Sequence, residues 1–120
     1  MQTLNYEASW DKAISKRDRQ ELEALFSSLD TFPPFTVIRH AVNYKKELLV
    51  TAIVHNTADE PLLFQEQRIT YSIDGKQKAE NTFSLSSFIV PPKTSMPWTF
   101  IFPTDSWRDH EAGIGELSFG

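Results

Sequence analysis

The chain has no cysteine, so neither disulfides nor thiolate metal sites can hold it together. It has only four glycines in 120 residues, and none forms a phosphate-cradling loop. No serine sits in a G-x-S-x-G elbow, which removes the most recognisable hydrolase signature. No apolar run approaches the roughly 18 residues of a membrane span; the longest, "LLVTAIV" and "PWTFIF", are strand-sized. The N-terminus lacks a basic stretch followed by an apolar one, so no secretory signal is expected. A basic face is missing as well. The net charge is −4, and the densest cationic cluster, "KRDR" at 16–19, is interrupted by Asp18. Nucleic-acid binding, which needs such a face, is not expected. These absences predict a soluble, cytoplasmic, non-enzymatic protein without membrane insertion.

A chain of 120 residues is one domain of ordinary size, able to bury a core without staples. Its pattern divides it into a helical N-terminal segment over 1–30 and a β-sandwich over 35–119. Leu22, Leu25, Phe26 and Leu29 recur at i, i+3, i+4, i+7 and make one helical face. Asp18 with Glu21 offers one capping pair and Ser15 with Asp18 a start one turn earlier. Pro33 and Pro34 stop the helix. Tyr6, Trp10 and Ile14, upstream of it, are placed to cover a sheet end.

From Phe35 onward the grammar is β. "FTVIRHAV" (35–42) is a strand, and "NYKK" is a turn that Asn43 is suited to start. "ELLVTAIVH" (47–55) is apolar on both parities, the mark of a central strand covered on both faces. Ile69, Tyr71 and Ile73 alternate with polar residues up to Asp74-Gly75, a strong hairpin signal. Ala79, Phe83 and Leu85 continue the alternation on the return strand. "SSFIV" reads as a separate short strand, "PWTFIF" as another, and "GELSFG" as a last one. Six or seven strands without crossover helices predict a mainly β fold: an antiparallel, immunoglobulin-like β-sandwich with one N-terminal helix packed on it. A partly open barrel plugged by the helix is the alternative.

Groups that could carry chemistry are sparse. His40 and His55 could approach each other across a hairpin, with Asp59 or Glu60 completing a metal site. No pair among the three histidines, His40, His55 and His110, has the spacing that presents two ligands together, so no metal and no cofactor is expected. "DSWRDHE" (105–111) gathers Asp105, Asp109, His110 and Glu111, but a charge-rich stretch between a proline and a glycine reads as a solvated loop. No catalytic residue is assigned. What remains is aromatic: nine Phe, three Tyr and three Trp. Most belong to the core, while Trp and Tyr also suit surfaces that are dry on one side and wet on the other. In "PWTFIFP", Trp98, Phe100 and Phe102 share one face of a strand and Thr99 and Ile101 the other. Pro97 and Pro103 bracket that strand and suggest an edge position. Trp98, Thr99, Ile101, Trp107 and Tyr71 are therefore the candidate contacts to a partner or ligand.

The segments "IRHAVN" (38–43), "ELLVTAIVHN" (47–56), "IDGK" (73–76), "KAENTF" (78–83) and above all "SMPWTFIF" (95–102) together resemble the SLAP domain of bacilli and related Firmicutes, a family named after an accessory Sec-system S-layer assembly protein. The helix that follows the first Trp, over 10–29, is similar too. The resemblance implies a cytoplasmic accessory role around protein export or cell-envelope assembly, with a protein partner and no catalytic residue. The alternative is a sandwich that binds a small ligand or carbohydrate on Trp98, Trp107 or Tyr71.

Overall fold

The computed structural model describes residues 2–107 and 114–120. In chain order it contains a two-residue strand β1 (Thr3–Leu4), helices α1 (Ala8–Ala13) and α2 (Lys16–Ser28), and strands β2 (Phe35–Val42), β3 (Leu48–Asn56), β4 (Leu62–Ile73), β5 (Lys76–Val90) and β6 (Thr94–Phe102). A 3-10 turn (Thr104–Ser106) and strand β7 (Glu116–Phe119) complete it. The strands form two sheets, ordered β1-β6-β3-β2 and β5-β4-β7. Among the described residues every strand pairing is antiparallel except that of β1 with β6. The mainly β sandwich with a helical N-terminal segment is thus what the sequence pattern describes.

The helical segment is two helices rather than one. Ser15 caps α2, its Oγ accepting from the Asp18 amide at 3.0 Å, so the earlier of the two starts is used. Ile14 before it is extended, and that break separates α1 from α2. Arg19 ties the two together: its guanidinium donates to the Asp11 carboxylate at 2.8 Å and lies 4.5 Å over the Tyr6 ring. Of the apolar face of α2, Leu22 is buried while Leu25, Phe26 and Leu29 are half-buried.

Strand β3 is central, flanked by β2 and β6. Leu48, Val50, Ala52 and Val54 point between the sheets, and Thr51, Ile53 and His55 are buried on the opposite face. Asn56 closes its end: the side-chain amide donates to the carbonyls of Glu60 at 2.7 Å and Val90 at 3.0 Å. The core between the sheets is built on aromatic rings. Phe100 contacts Phe35, Phe64 and Phe83, with centroids 5.7, 5.9 and 5.3 Å away.

Of the four register shifts in the ladders, two shape this core. In the β4–β5 ladder Leu63 pairs with Ile89 while Phe64 pairs with Leu85, so Ser86, Ser87 and Phe88 bulge out of register. The expected separate strand "SSFIV" is therefore the far end of one long strand. The bulge reverses side-chain parity, and Phe83 and Phe88, five residues apart, both point inward. In β2 the register shifts between Val37 and Arg39, so Ile38 is the extra residue. Val37 packs on the core, Ile38 turns to the outer face, and His40 turns back inward to the Tyr71 hydroxyl.

The hairpin forms as expected. Asp74 and Gly75 both have positive φ, 52° and 77°, as a type I′ turn demands. Gly115, ahead of β7, answers a different constraint: a Cβ there would lie 2.2 Å from the Ser72 carbonyl oxygen. Since that oxygen is backbone in the central strand of its sheet, Gly115→Ala must push β7 away from β4. The variant is expected to lose about 3 kcal/mol of stability in urea unfolding. Amide exchange should accelerate at Thr70 and Ser118, which face each other across the β4–β7 ladder.

Candidate functional site

The best-formed candidate surface is the outer side of β6. Its side chains divide by parity as the sequence implies. Met96, Phe100 and Phe102 are buried between the sheets, and Trp98 is half-buried against the same core. The Trp98 ring stacks on Phe88 with centroids 4.4 Å apart and an interplanar angle of 27°. On the other face Thr99 Oγ1 lies 2.9 Å from Thr51 Oγ1, and Ile101 is 46% exposed.

The backbone of β6 explains its prolines. The Asn5 amide donates to the Ser95 carbonyl at 2.9 Å, so Ser95 directs its backbone groups toward β1 and away from β3. Strand alternation then directs the backbone groups of Pro97, Thr99 and Ile101 the same way. Pro97 lacks its N–H on that outer side, where the ladder with β3 needs none. Strand β1 covers only Thr94 and Ser95. Pro97 itself is fully buried, and beyond it Thr99, half-buried, and Ile101, exposed, each present an N–H and a C=O with no strand partner among the described residues. No residue of β6 is charged, so the edge lacks the lysines that commonly blunt one.

The other expected contacts lie elsewhere. Tyr71 is fully buried, its hydroxyl 2.7 Å from His40 Nδ1 and accepting from the Gly115 amide at 2.9 Å. It is a core strut, and burial removes it from any contact surface. Trp107 is half-buried, donates from Nε1 to the Lys46 carbonyl at 2.9 Å and bridges Ala79 near the start of β5. Trp98 sits instead against Phe88 near the end of β5. The three aromatics therefore do not make one stacking platform.

His40 and His55 do not meet. The His40 ring points between the sheets toward Tyr71, while His55 faces the outer side, its Nε2 2.8 Å from Thr36 Oγ1 and its Nδ1 2.6 Å from Ser95 Oγ. Asp59 pairs with Lys93 at 3.5 Å. Among the described residues no three ligating side chains converge. Asp105 lies exposed in the 3-10 turn, and Asp109, His110 and Glu111 lie outside the described residues.

A second concavity was not legible in the sequence. An apolar groove of about 450 Å³ opens between the helices and the outer face of β2 and β3, lined by Trp10, Ile14, Leu22, Leu25, Ile38 and Arg39 among others. The only signal was the narrow apolar face of α2, which covers less than the sheet below it offers.

Two outcomes follow from this geometry. Trp98→Ala removes a half-buried ring stacked on a buried one, and is expected to cost about 3 kcal/mol in urea unfolding. A variant with wild-type stability would show that Trp98 is not scaffold. His55 is the second case. Burial pushes its pKa down from 6.5 to about 4, because the charged ring is desolvated in the fold. Since the folded value lies below the unfolded one, the fold keeps its full stability above pH 6.5. It loses stability as pH falls from 6.5 toward about 4, by about 3 kcal/mol in total. Unfolding measured across that window should show the loss, and His55→Asn should flatten that part of the profile.

Comparison with known proteins bears on the whole arrangement. No curated protein and no solved structure matches the chain. The family model for the SLAP domain matches residues 4–117, which runs from β1 through both sheets into β7. A match over nearly the whole chain, on this two-sheet sandwich, means that this chain belongs to the SLAP domain family.

Proposed function

We propose that this protein is a non-enzymatic interaction module that takes up an extended segment of a partner protein along the edge of β6, as an accessory factor in protein export or cell-envelope assembly in the cytoplasm. The observation that carries the reading is the uncharged β6 edge beyond Ser95, where Thr99 and Ile101 present backbone donors and acceptors without a strand partner among the described residues. An added strand gains affinity from main-chain hydrogen bonds, and specificity from side chains that alternate across the edge. The exposed Ile101 supplies an apolar contact on one side of that edge. Membership in a family described by its Sec-accessory association supports the export setting.

The edge also suits reversible binding. Pro97 withholds one donor, and β1 with Pro103 leaves only a short window between them, so pairing is brief in length and cannot propagate along the sheet.

The test places a photocrosslinking amino acid at Ile101 in cells that carry the export machinery, with Tyr44, 89% exposed in the β2–β3 turn, as the control position. A discrete adduct at 101 but not at 44, identified as an export component or exported protein, is the expected result. Thr99→Pro should abolish it, since the amide it removes faces away from β3 and the fold should tolerate it as it tolerates Pro97. Ile101→Lys, with the crosslinker moved to Thr99, provides the same test without a backbone change. An adduct unaffected by both variants, or none at all, ends the edge-pairing reading.

A further inference from the structure

The groove beneath the helices has a chemistry of its own, and it lies on the outer face of β2 and β3, away from the free side of β6. Its existence follows from how the helical segment is tethered. One end is fixed by β1 on β6, and the other by the His55 amide, which donates to the Pro34 carbonyl at 2.9 Å. Between these anchors the break at Ile14–Ser15 fixes α1 against α2, and only Leu22 reaches full burial. The two helices thus span the sheet like a strap and do not collapse onto it. Across an apolar gap of this kind the facing walls do not touch, and a ligand that fills it supplies the dispersion contacts. Its volume of about 450 Å³ falls within the range of roughly 300–1,000 Å³ typical of small-molecule sites.

The charges at the groove select the ligand. Glu21 is compensated by Arg17, whose Nε lies 3.2 Å from its carboxylate. Asp18 sits in the first turn of α2, three residues after the Ser15 cap, where the helix dipole favours a negative charge. Arg39 on the opposite wall is exposed; its side chain has no ion pair or hydrogen bond among the described residues, and the Asp18 carboxylate likewise has no ion pair among them. It is placed there by the β2 bulge, which turns Ile38 and Arg39 together toward the groove. An uncompensated guanidinium beside an apolar floor suits a planar anionic head on an apolar body.

We propose that the groove binds a small amphiphile bearing one carboxylate, its apolar chain or ring lying against Trp10, Ile14, Leu25 and Ile38 and its carboxylate on Arg39. Trp10 serves as a built-in reporter.

The experiment uses the full chain labelled with nitrogen-15 and follows the three indole N–H signals, with Trp10→Phe identifying that of Trp10. Dodecanoate, dodecanol and dodecyltrimethylammonium are each titrated below their micellar concentrations. Dodecanoate should shift the Trp10 signal saturably and bind more tightly than the alcohol. Arg39→Gln should weaken dodecanoate about tenfold or more while leaving dodecanol unchanged, and Arg39→Lys should retain part of the affinity. The proposal is overturned by any of three results: no saturable shift with dodecanoate, equal affinity in the wild type and Arg39→Gln, or tighter binding of the cation than of the acid. The last would assign the groove to a basic apolar segment instead. None of these readouts involves the β6 edge, so the two sites stand or fall separately.

Discussion

The inward ring of Phe100 is the contact on which the sandwich depends. It lies on β6, yet it touches Phe35 from its own sheet and Phe64 and Phe83 from the opposite one. Large rings in edge-to-face and tilted contact supply buried area and directional packing at once, which a small all-β domain without disulfides needs. The neighbouring Phe102 extends the contact by meeting Phe83 at 5.4 Å. With both faces of β3 buried beside it, β6 is held on one side and through its inward side chains. Beyond the part that β1 covers, its other side has no strand partner among the described residues, without loss to the core.

That separation is what lets one strand be scaffold through its side chains while part of its backbone edge stays unpaired among the described residues. Side-chain burial acts perpendicular to the sheet, whereas backbone pairing acts within it. Trp98 and Phe100 answer the first requirement, and the outward amides of Thr99 and Ile101 remain available for the second. Pro97 is compatible with both, because the donor it lacks belongs on the side away from β3.

The two bulges do comparable work. Without the register shift at Ser86–Phe88, strict alternation from Phe83 would turn Phe88 to solvent and deprive Trp98 of its stacking partner. Without Ile38 as an extra residue, His40 would face outward, and Tyr71 would keep only the Gly115 amide as a partner. The same bulge sets Arg39 at the groove. One inserted residue thus serves the core on one face of β2 and the charge of a cavity on the other.

Local chemistry in the sequence determined a good deal of this protein. Asp74-Gly75 could only be a tight hairpin turn, Pro33-Pro34 could only end a helix, and double-parity hydrophobicity from Leu48 to Val54 could only be a central strand. The bounds Phe35–Val42 and the inward set of Trp98, Phe100 and Phe102 were equally legible, because period-two patterning is a short-range property. Tertiary structure decided the rest. Tyr71 resembled a surface aromatic until burial and two hydrogen bonds made it a strut. "SSFIV" resembled a new strand until β4 extended to hold it. The groove exists because anchors far apart in sequence, Thr3–Leu4 and Pro34, fix the span of the helices above the sheet. Whether an edge is free, or a cavity open, depends on which distant segments fail to cover it, and no local pattern encodes that.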